Sequence, residues 1–326
     1  MDEPQVSREC EAAKKPSVIR AADCRIRHIQ GFLDGLYSGA RHEGLSLVQV
    51  PSGTAWLRVG SAFGRLGLSR TMPGIVRRAI LPLAWASDRD AFPLQYVFRI
   101  VPWVYDCWEP DFMRWDSLLA RMRPPVAFFS CRTNSDRFAA RFPGTRCAWV
   151  PEAVDAEAYD RGPSLVDRSL GVLELGRRWA SFSDRLYPVL IRRNVAFLRS
   201  GADFPQSAVP NDRLRSVLAN TRVLLCFPKS TTHPVLAGGV QTVTYRYFEG
   251  IASRCILVGK CPTELERLWG YNPVLEVDLD TDPEILAEMA LNPARFQALV
   301  DRNYDRLLEV GLWRHRMQLM AHLASP

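Results

Sequence analysis

"TYRYFEGIASRCILVGK" occupies Thr244 to Lys260 and decides the fold. An apolar-striped stretch carrying one Arg and one Glu runs through small residues into "CILVG", a short β-like segment. If a helix begins near Thr242, Tyr245, Phe248, Ile251 and Ala252 share one face, and Arg246, Glu249 and Ser253 share another. The apolar face is then expected to bury against a sheet. Arg246 and Glu249 would be left at the open end of the helix, just before a buried strand.

The same alternation spreads outward. Upstream, "GVLELG" (Gly171 to Gly176) and "RVLLCFP" read as strands, and "NDRLRSVLANT" reads as a helix capped by Asn211. "DRLYPVLIRRNVAFLRSG" reads as one helix, with Pro188 in its first turn or kinking it. Downstream, "DPEILAEMALN" and "ARFQALVDRNYDRLLEVG" read as helices, the second closed by Gly311. The first half repeats the pattern. "LSLVQV", "YVFRIVPWVYD", "VAFFSC" and "CAWVPEAVD" are expected strands. "DFMRWDSLLARM", capped by Asp111, and "SDRFAARF", capped by Asn134 or Ser135, are expected helices. Residues 1 to about 30 read as loose or as a short helix, and residues 54 to 85 as helical. The polar stretch "AEAYDRGPSLVDRS" makes a boundary. Two α/β domains follow, 1–160 and 161–326, with mainly parallel sheets and the last helices packing back on the first domain.

Composition fits a soluble globular chain of 326 residues, 47 % hydrophobic and 24 % charged. The net charge of +7 favours anionic ligands, and Arg suits planar phosphate recognition. The eight cysteines form no CxxC pair and no zinc-like cluster with His. Cys226 and Cys255 sit in apolar runs and read as small buried hydrophobes. A reducing, cytoplasmic location is expected. No signal-peptide core and no run of membrane-spanning length is present, and peripheral membrane contact is left open. No helix-turn-helix, zinc-finger or RNP-like stretch supports nucleic-acid binding.

Ligands of open α/β sheets sit outside the carboxyl ends of the strands. Four places put polar residues there. After "GVLELG" come Gly176, Arg177 and Arg178, a close backbone approach with fork-shaped donors, or else a solvated turn. After "RVLLCFP" comes a long loop with Lys229, His233, Gly238 and Gly239, leading to Thr242. Backbone N–H groups before a helix would suit a phosphate there, although glycine pairs also serve plain connectors. Third is the opening stretch. A carboxylate at Glu249 suits vicinal ribose hydroxyls and Arg246 suits a phosphate, while an i,i+3 ion pair worth roughly a few tenths of a kcal/mol is the simpler account. Fourth is "VPWVYDCWEPDF", where Asp106 and Glu109 follow a strand among Trp103, Tyr105 and Trp108. Aromatics beside carboxylates suit sugar binding and a catalytic base, and a helix-capping turn would look the same.

These features together resemble the GT-B glycosyltransferases, the group-1-type branch with the CgeB-like proteins. "CAWVPEAVD" looks like the strand and turn that lead into the second domain, "VLELGRR" like that domain's first strand, and "LWRHRMQLM" like the closing helix. "TYRYFEGIASRCILVGKCPTELERL", with its Arg-x-x-Glu, is the most specific element. The resemblance implies two Rossmann-like domains facing a central cleft. It implies a nucleotide-diphosphate sugar held by the second domain, an acceptor held by the first, and no metal or other cofactor. Carried over by position, Glu249 binds the ribose, while Arg177, Lys229 and the loop at Gly239 face the phosphates. Arg246 joins them or braces the helix. The acceptor is a glycan, a lipid-linked group or a small molecule. Three departures stand out. Gln241 replaces an acid eight positions before Glu249, Arg254 stands where relatives carry a small residue, and the N-terminal third matches poorly.

A non-catalytic nucleotide- or sugar-binding module on the same scaffold is the alternative, and Gln241 speaks for it. A membrane-facing role for residues 56–85 rests on Arg58, Arg65, Arg70, Arg77 and Arg78 interleaved with Trp56, Phe63, Leu66, Ile75, Ile80 and Leu81. Two amphipathic helices packed on the first sheet explain the same pattern.

Overall fold

The computed structural model describes residues 15–20, 27–49, 58–59, 62, 77–84, 86, 94–199 and 211–325. The chain divides into two compact units. The first comprises the described residues of Met1–Arg25, Leu36–Pro151 and Trp313–Pro326, and the second those of Ile26–Gly35 and Glu152–Leu312.

The first unit is built on six parallel strands: β1 (Ser17–Arg20), β2 (Leu47–Gln49), β3 (Arg78–Leu83), β4 (Arg99–Val104), β5 (Val126–Phe129) and β6 (Arg146–Trp149). Their order is β2-β1-β3-β4-β5-β6. α1 (Arg27–His42) joins β1 to β2, α2 (Phe112–Met122) joins β4 to β5, and α3 (Arg132–Arg141) joins β5 to β6. Ile100, Trp115, Leu118, Phe129 and Phe138 form the core under these two later helices.

Several expectations change here. The sheet starts at Ser17, inside the stretch read as loose, because Val18 and Ile19 are buried on both sides of a short strand. "RAILPL" is β3 rather than helix. Five of its six residues are buried, and Pro82 is accommodated within the strand. Of the Arg-rich stretch 56–85, Arg65, Arg70 and most of its apolar residues lie outside the described residues. Arg78 lies on β3 and donates to the carbonyls of Ala324 and Ser325, so it is a structural contact rather than a lipid-facing one. Asp111 occupies the N-cap position of α2 without a capping bond and pairs with Arg114 instead. α3 starts three residues before Ser135. Asn134 caps nothing; it is buried and donates to the Cys107 carbonyl at 2.8 Å.

The second unit holds β7 (Leu170–Glu174), β8 (Phe197–Arg199), β9 (Thr221–Cys226), β10 (Ile256–Gly259) and β11 (Leu275–Glu276), all parallel. Their order is β11-β10-β9-β7-β8. Helices α4 (Ala180–Arg192), α5 (Asn211–Ala219), α6 (Lys229–Thr232), α7 (Pro234–Ala237), α8 (Tyr245–Ala252), α9 (Thr263–Trp269), α10 (Glu284–Leu291) and α11 (Gln297–Val310) connect and cover them. α12 (Trp313–Ala324) follows and belongs to the first unit, where Trp313 meets Trp103 edge-on at 5.3 Å.

Strand parity divides the second core in two. Leu173, Leu224 and Leu257 pack with Phe248, Trp269 and Leu307 on one face. Val172, Val223, Val258 and Ile256 pack with Phe182, Leu186 and Ala287 on the other. Near-continuous apolar runs are what a parallel sheet covered on both faces requires. Two strands of this sheet are not among those read from the sequence. "FLR" of β8 lies beyond the preceding helix, which ends at Arg192 with Pro188 in its interior instead of its first turn, and β11 is only the two residues Leu275–Glu276.

Candidate functional site

In chain order, the second sheet runs second, first, third, fourth, fifth. Its connections therefore reverse direction between β7 and β9, the topological switch point at which open α/β sheets bind ligands. Glu174 ends β7 and Cys226 ends β9. What reaches across this point is α8.

α8 begins at Tyr245, with Thr244 in the N-cap position, three residues later than Thr242. Gly250 sets its depth. A Cβ there would lie 2.6 Å from methyl carbons of both Leu224 and Leu257, so only glycine lets the helix sit this low on β9 and β10. Tyr247, fully buried, ties it down by donating to the carbonyl of Lys260 at 2.6 Å. This depth overturns the expected exposure of Glu249, whose residue is 4 % exposed. One carboxylate oxygen accepts the Tyr159 hydroxyl at 2.8 Å, and the other accepts Arg246 at 2.5 Å. The Tyr245 and Tyr159 hydroxyls lie 3.1 Å apart. Burial first, then the Glu249 charge, holds both phenols well above the ordinary tyrosine range.

Arg246 is a quarter exposed. It lies over the backbone at the end of β7, where a Cβ on Gly176 would come 3.9 Å from two of its guanidinium nitrogens. Gly176 has φ +88°, a conformation that costs other residues. The Cys226 thiol is pushed up by burial, against the pull of Arg246. Arg246, Glu249, Gly176 and Cys226 therefore share the switch point. Arg177, half-buried, adds its charge beside the Tyr247 hydroxyl.

Arg178 does not join them. It pairs with Asp184, approaches Glu174 at 3.9 Å and lies over the Tyr187 ring at 5.6 Å. It braces the start of α4 rather than offering open donors. Glu174, 2 % exposed, accepts hydrogen bonds from Ser183 and Tyr187, a buried network that the sequence reading did not single out.

The long loop after β9 is two short helical turns, α6 and α7, instead of an extended connector. Lys229 opens the first, half-buried. His233 is exposed, with its Nδ1 2.9 Å from the Thr232 hydroxyl. Gly238 closes the second turn at φ +57°, and Gly239 is exposed. Six residues separate Gly238 from α8, so the pair does not abut that helix's N-terminus as expected. Thr242 is buried.

In the first unit, Asp106 stands just past β4, exposed, at φ +54°. Non-glycine residues held there carry strain of the kind that collects at functional positions. β4 lies one strand from that sheet's own switch point, between β1 and β3. Glu109 is exposed in the 3-10 turn before α2. The aromatics around them do not line an open surface. Trp103, Tyr105 and Trp108 are each at most 8 % exposed, and Trp103 donates to the Val150 carbonyl at 2.9 Å. They are core residues. Among the described residues no group of three His, Cys, Asp or Glu is placed to hold a metal ion, and no helix is long and apolar enough to cross a membrane.

Comparison with known proteins agrees with this layout. Residues 175–322 match a family model described as glycosyl transferase-like. No curated protein matches the chain. Among solved structures, one similar to it is an alpha-glucosyltransferase in complex with UDP and a mismatched 13-mer DNA. It has TM-score 0.61 and 10 % identity, over 94 % of this chain and 98 % of that one. Another is AviGT4, a glycosyltransferase of avilamycin A biosynthesis, with TM-score 0.57 and 12 % identity over 95 % and 97 %. A third is Anabaena Alr3699/HepE in complex with UDP, with TM-score 0.51 and 9 % identity over 95 % and 99 %. The chain thus has the GT-B fold of the glycosyltransferases, with a glycosyl transferase-like segment spanning residues 175–322.

Proposed function

We propose that this protein transfers a sugar from a nucleotide-diphosphate sugar to an acceptor, without a metal ion. The observation that carries the reading is the Arg246–Glu249 pair at the switch point of the second sheet, over Gly176. Each Glu249 oxygen has one protein donor and keeps a second lone pair for a ribose hydroxyl. Arg246, with Arg177 and Lys229, neutralises the diphosphate as it leaves, and the exposed glycines Gly238 and Gly239 let it approach their loop closely. His233 and Thr242 line the same loop. In the reaction the acceptor oxygen bonds to the anomeric carbon and the glycosyl–phosphate bond breaks. The diphosphate departs with the electron pair, and the acceptor's proton goes to a base. For inversion at that carbon the base is Asp106 or Glu109. A cytoplasmic setting is part of the proposal, because the six described cysteines are free.

UDP is the first nucleotide to try, since two of the similar structures hold it. A thermal-shift screen over a panel of sugar nucleotides, followed by calorimetric titration and assays for hydrolysis or transfer, tests the reading. Stabilisation by one sugar nucleotide with turnover supports it. Binding without any turnover would favour a non-catalytic module, for which Gln241 already speaks. No binding at millimolar nucleotide would refute both.

A further inference from the structure

We propose that Tyr159 is a positioning residue, fixing the Glu249 carboxylate in the orientation that grips the ribose. The inference rests on the reading of Glu249 given above. It assigns the role to a residue ninety positions away, outside the family-matched segment 175–322.

The phenol has one proton to give, and Glu249 Oε1 lies 2.8 Å from it. Arg246 holds Oε2. A carboxylate anchored through both oxygens cannot rotate about its terminal bond, so its remaining lone pairs point in fixed directions. The anchor is useful only if Tyr159 is itself immobile, and its segment is tied down at several points. Val154 bridges to Leu312, and its N–H donates to the Gly311 carbonyl at 3.0 Å. Ala156–Ala158 make a 3-10 turn. The Asp160 carboxylate accepts the Gly162 N–H at 2.9 Å.

Arg168 is the main clamp. It is 1 % exposed, and no carboxylate is among its hydrogen-bond partners. Its guanidinium donates to the carbonyls of Arg161 at 2.8 Å, Pro163 at 3.1 Å and Thr221, the first residue of β9, at 2.6 Å. The turn after Tyr159 is thereby fastened to the strand whose far end forms the switch point. Arg215 lies over the Tyr159 ring at 5.3 Å, and Arg161 lies over Tyr304 at 4.6 Å. Tyr245, the phenol's other neighbour, is itself packed edge-on by Phe32 at 5.2 Å.

The opposite role is a latch, in which Tyr159 occupies the carboxylate and must leave before nucleotide binds. The two roles give opposite signs. In the full chain, Tyr159→Phe, Tyr245→Phe and wild type are titrated calorimetrically with UDP and with 2′,3′-dideoxy-UDP, with circular dichroism to confirm folding. Positioning predicts that Tyr159→Phe weakens UDP about tenfold, a charge-assisted hydrogen bond's worth, and leaves the dideoxy analogue nearly unchanged. Discrimination between the two ligands therefore collapses. Tyr245→Phe, which keeps the Tyr159–Glu249 bond, retains it. Unchanged or tighter UDP binding by Tyr159→Phe overturns the proposal, as does an equal loss for both ligands, which marks a merely structural role. If wild type itself does not distinguish the two ligands, the ribose reading of Glu249 fails, and the positioning role fails with it.

Discussion

Replacing Glu249 by alanine removes the carboxylate that Tyr159 and Arg246 share. The Tyr159 hydroxyl loses an acceptor at 2.8 Å but keeps Tyr245 at 3.1 Å. Arg246 loses its partner at 2.5 Å, and its side chain, 25 % exposed, can turn to water. Breaking a fully buried ion pair costs roughly 3–5 kcal/mol. With one partner still satisfied and the other part-solvated, a loss of about 2–3 kcal/mol of unfolding free energy is expected. At roughly 2–4 °C per kcal/mol for a unit of this size, melting should fall by about 5–10 °C. Nucleotide binding should weaken by about 1–3 kcal/mol, or roughly 5- to 150-fold, for the lost charged hydrogen bonds to the ribose. Differential scanning calorimetry gives the first number, and titration of the folded variant with UDP at fixed salt gives the second. Glu249→Gln keeps one acceptor oxygen and should fall between wild type and alanine in both. An alanine variant that melts and binds like wild type would refute the reasoning from burial and the assignment of the ribose together.

Other variants probe the surrounding geometry. Gly176→Ala forces a side chain to φ +88° beneath Arg246 and should cost about 1–3 kcal/mol of stability and weaken UDP binding, read by melting and titration. Gly250→Ala puts a Cβ 2.6 Å from Leu224 and Leu257 and should destabilise by about 1–3 kcal/mol; an unchanged melting temperature would mean that α8 does not sit where described. Arg178→Ala breaks a largely exposed pair and should change stability by less than about 1 kcal/mol, with UDP affinity unaltered. The pH dependence follows from buried thiols. Burial raises Cys255 from 9.0 to about 12, so the folded state holds this proton where the unfolded chain has released it. That stabilisation is intact below pH 9 and declines as pH rises toward 12, by about 1.4 kcal/mol per pH unit for each such group. Urea titrations from pH 8 upward should show the decline, and Cys255→Ala should lessen its slope.

The sheets were legible because buried parallel strands are written as short apolar runs between turn residues, as in "VLLC" and "CILVG". β1, β3, β8 and β11 were not. β1, β8 and β11 offer only two to four residues, "FLR" follows a helix whose apolar spacing runs straight into it, and "RAILPL" of β3 sits in an Arg-interleaved stretch with helical spacing. The Arg246–Glu249 pair could be picked out by its place before a buried strand. Its burial could not, because that depends on the missing Cβ of Gly250 against two leucines and on a phenol contributed from residue 159. Arg178 looked equivalent to Arg177 in sequence, and only the position of Asp184 on α4 separates them. The aromatic cluster around Asp106 misled for a similar reason. Trp and Tyr after a strand suit a sugar platform or a core equally well, and the Val150 carbonyl that satisfies Trp103 lies two strands away.

The clamp of Arg168 on Thr221 bears on how the molecule can be taken apart. A fragment excised at residue 175, where the family likeness begins, would leave behind the strand Leu170–Glu174, the guanidinium that fastens the turn, and Tyr159. Domain exchange with a relative should instead transplant Glu152–Leu312 together with Ile26–Gly35, whose Phe32 packs on Tyr245, so that the carboxylate travels with all of its supports.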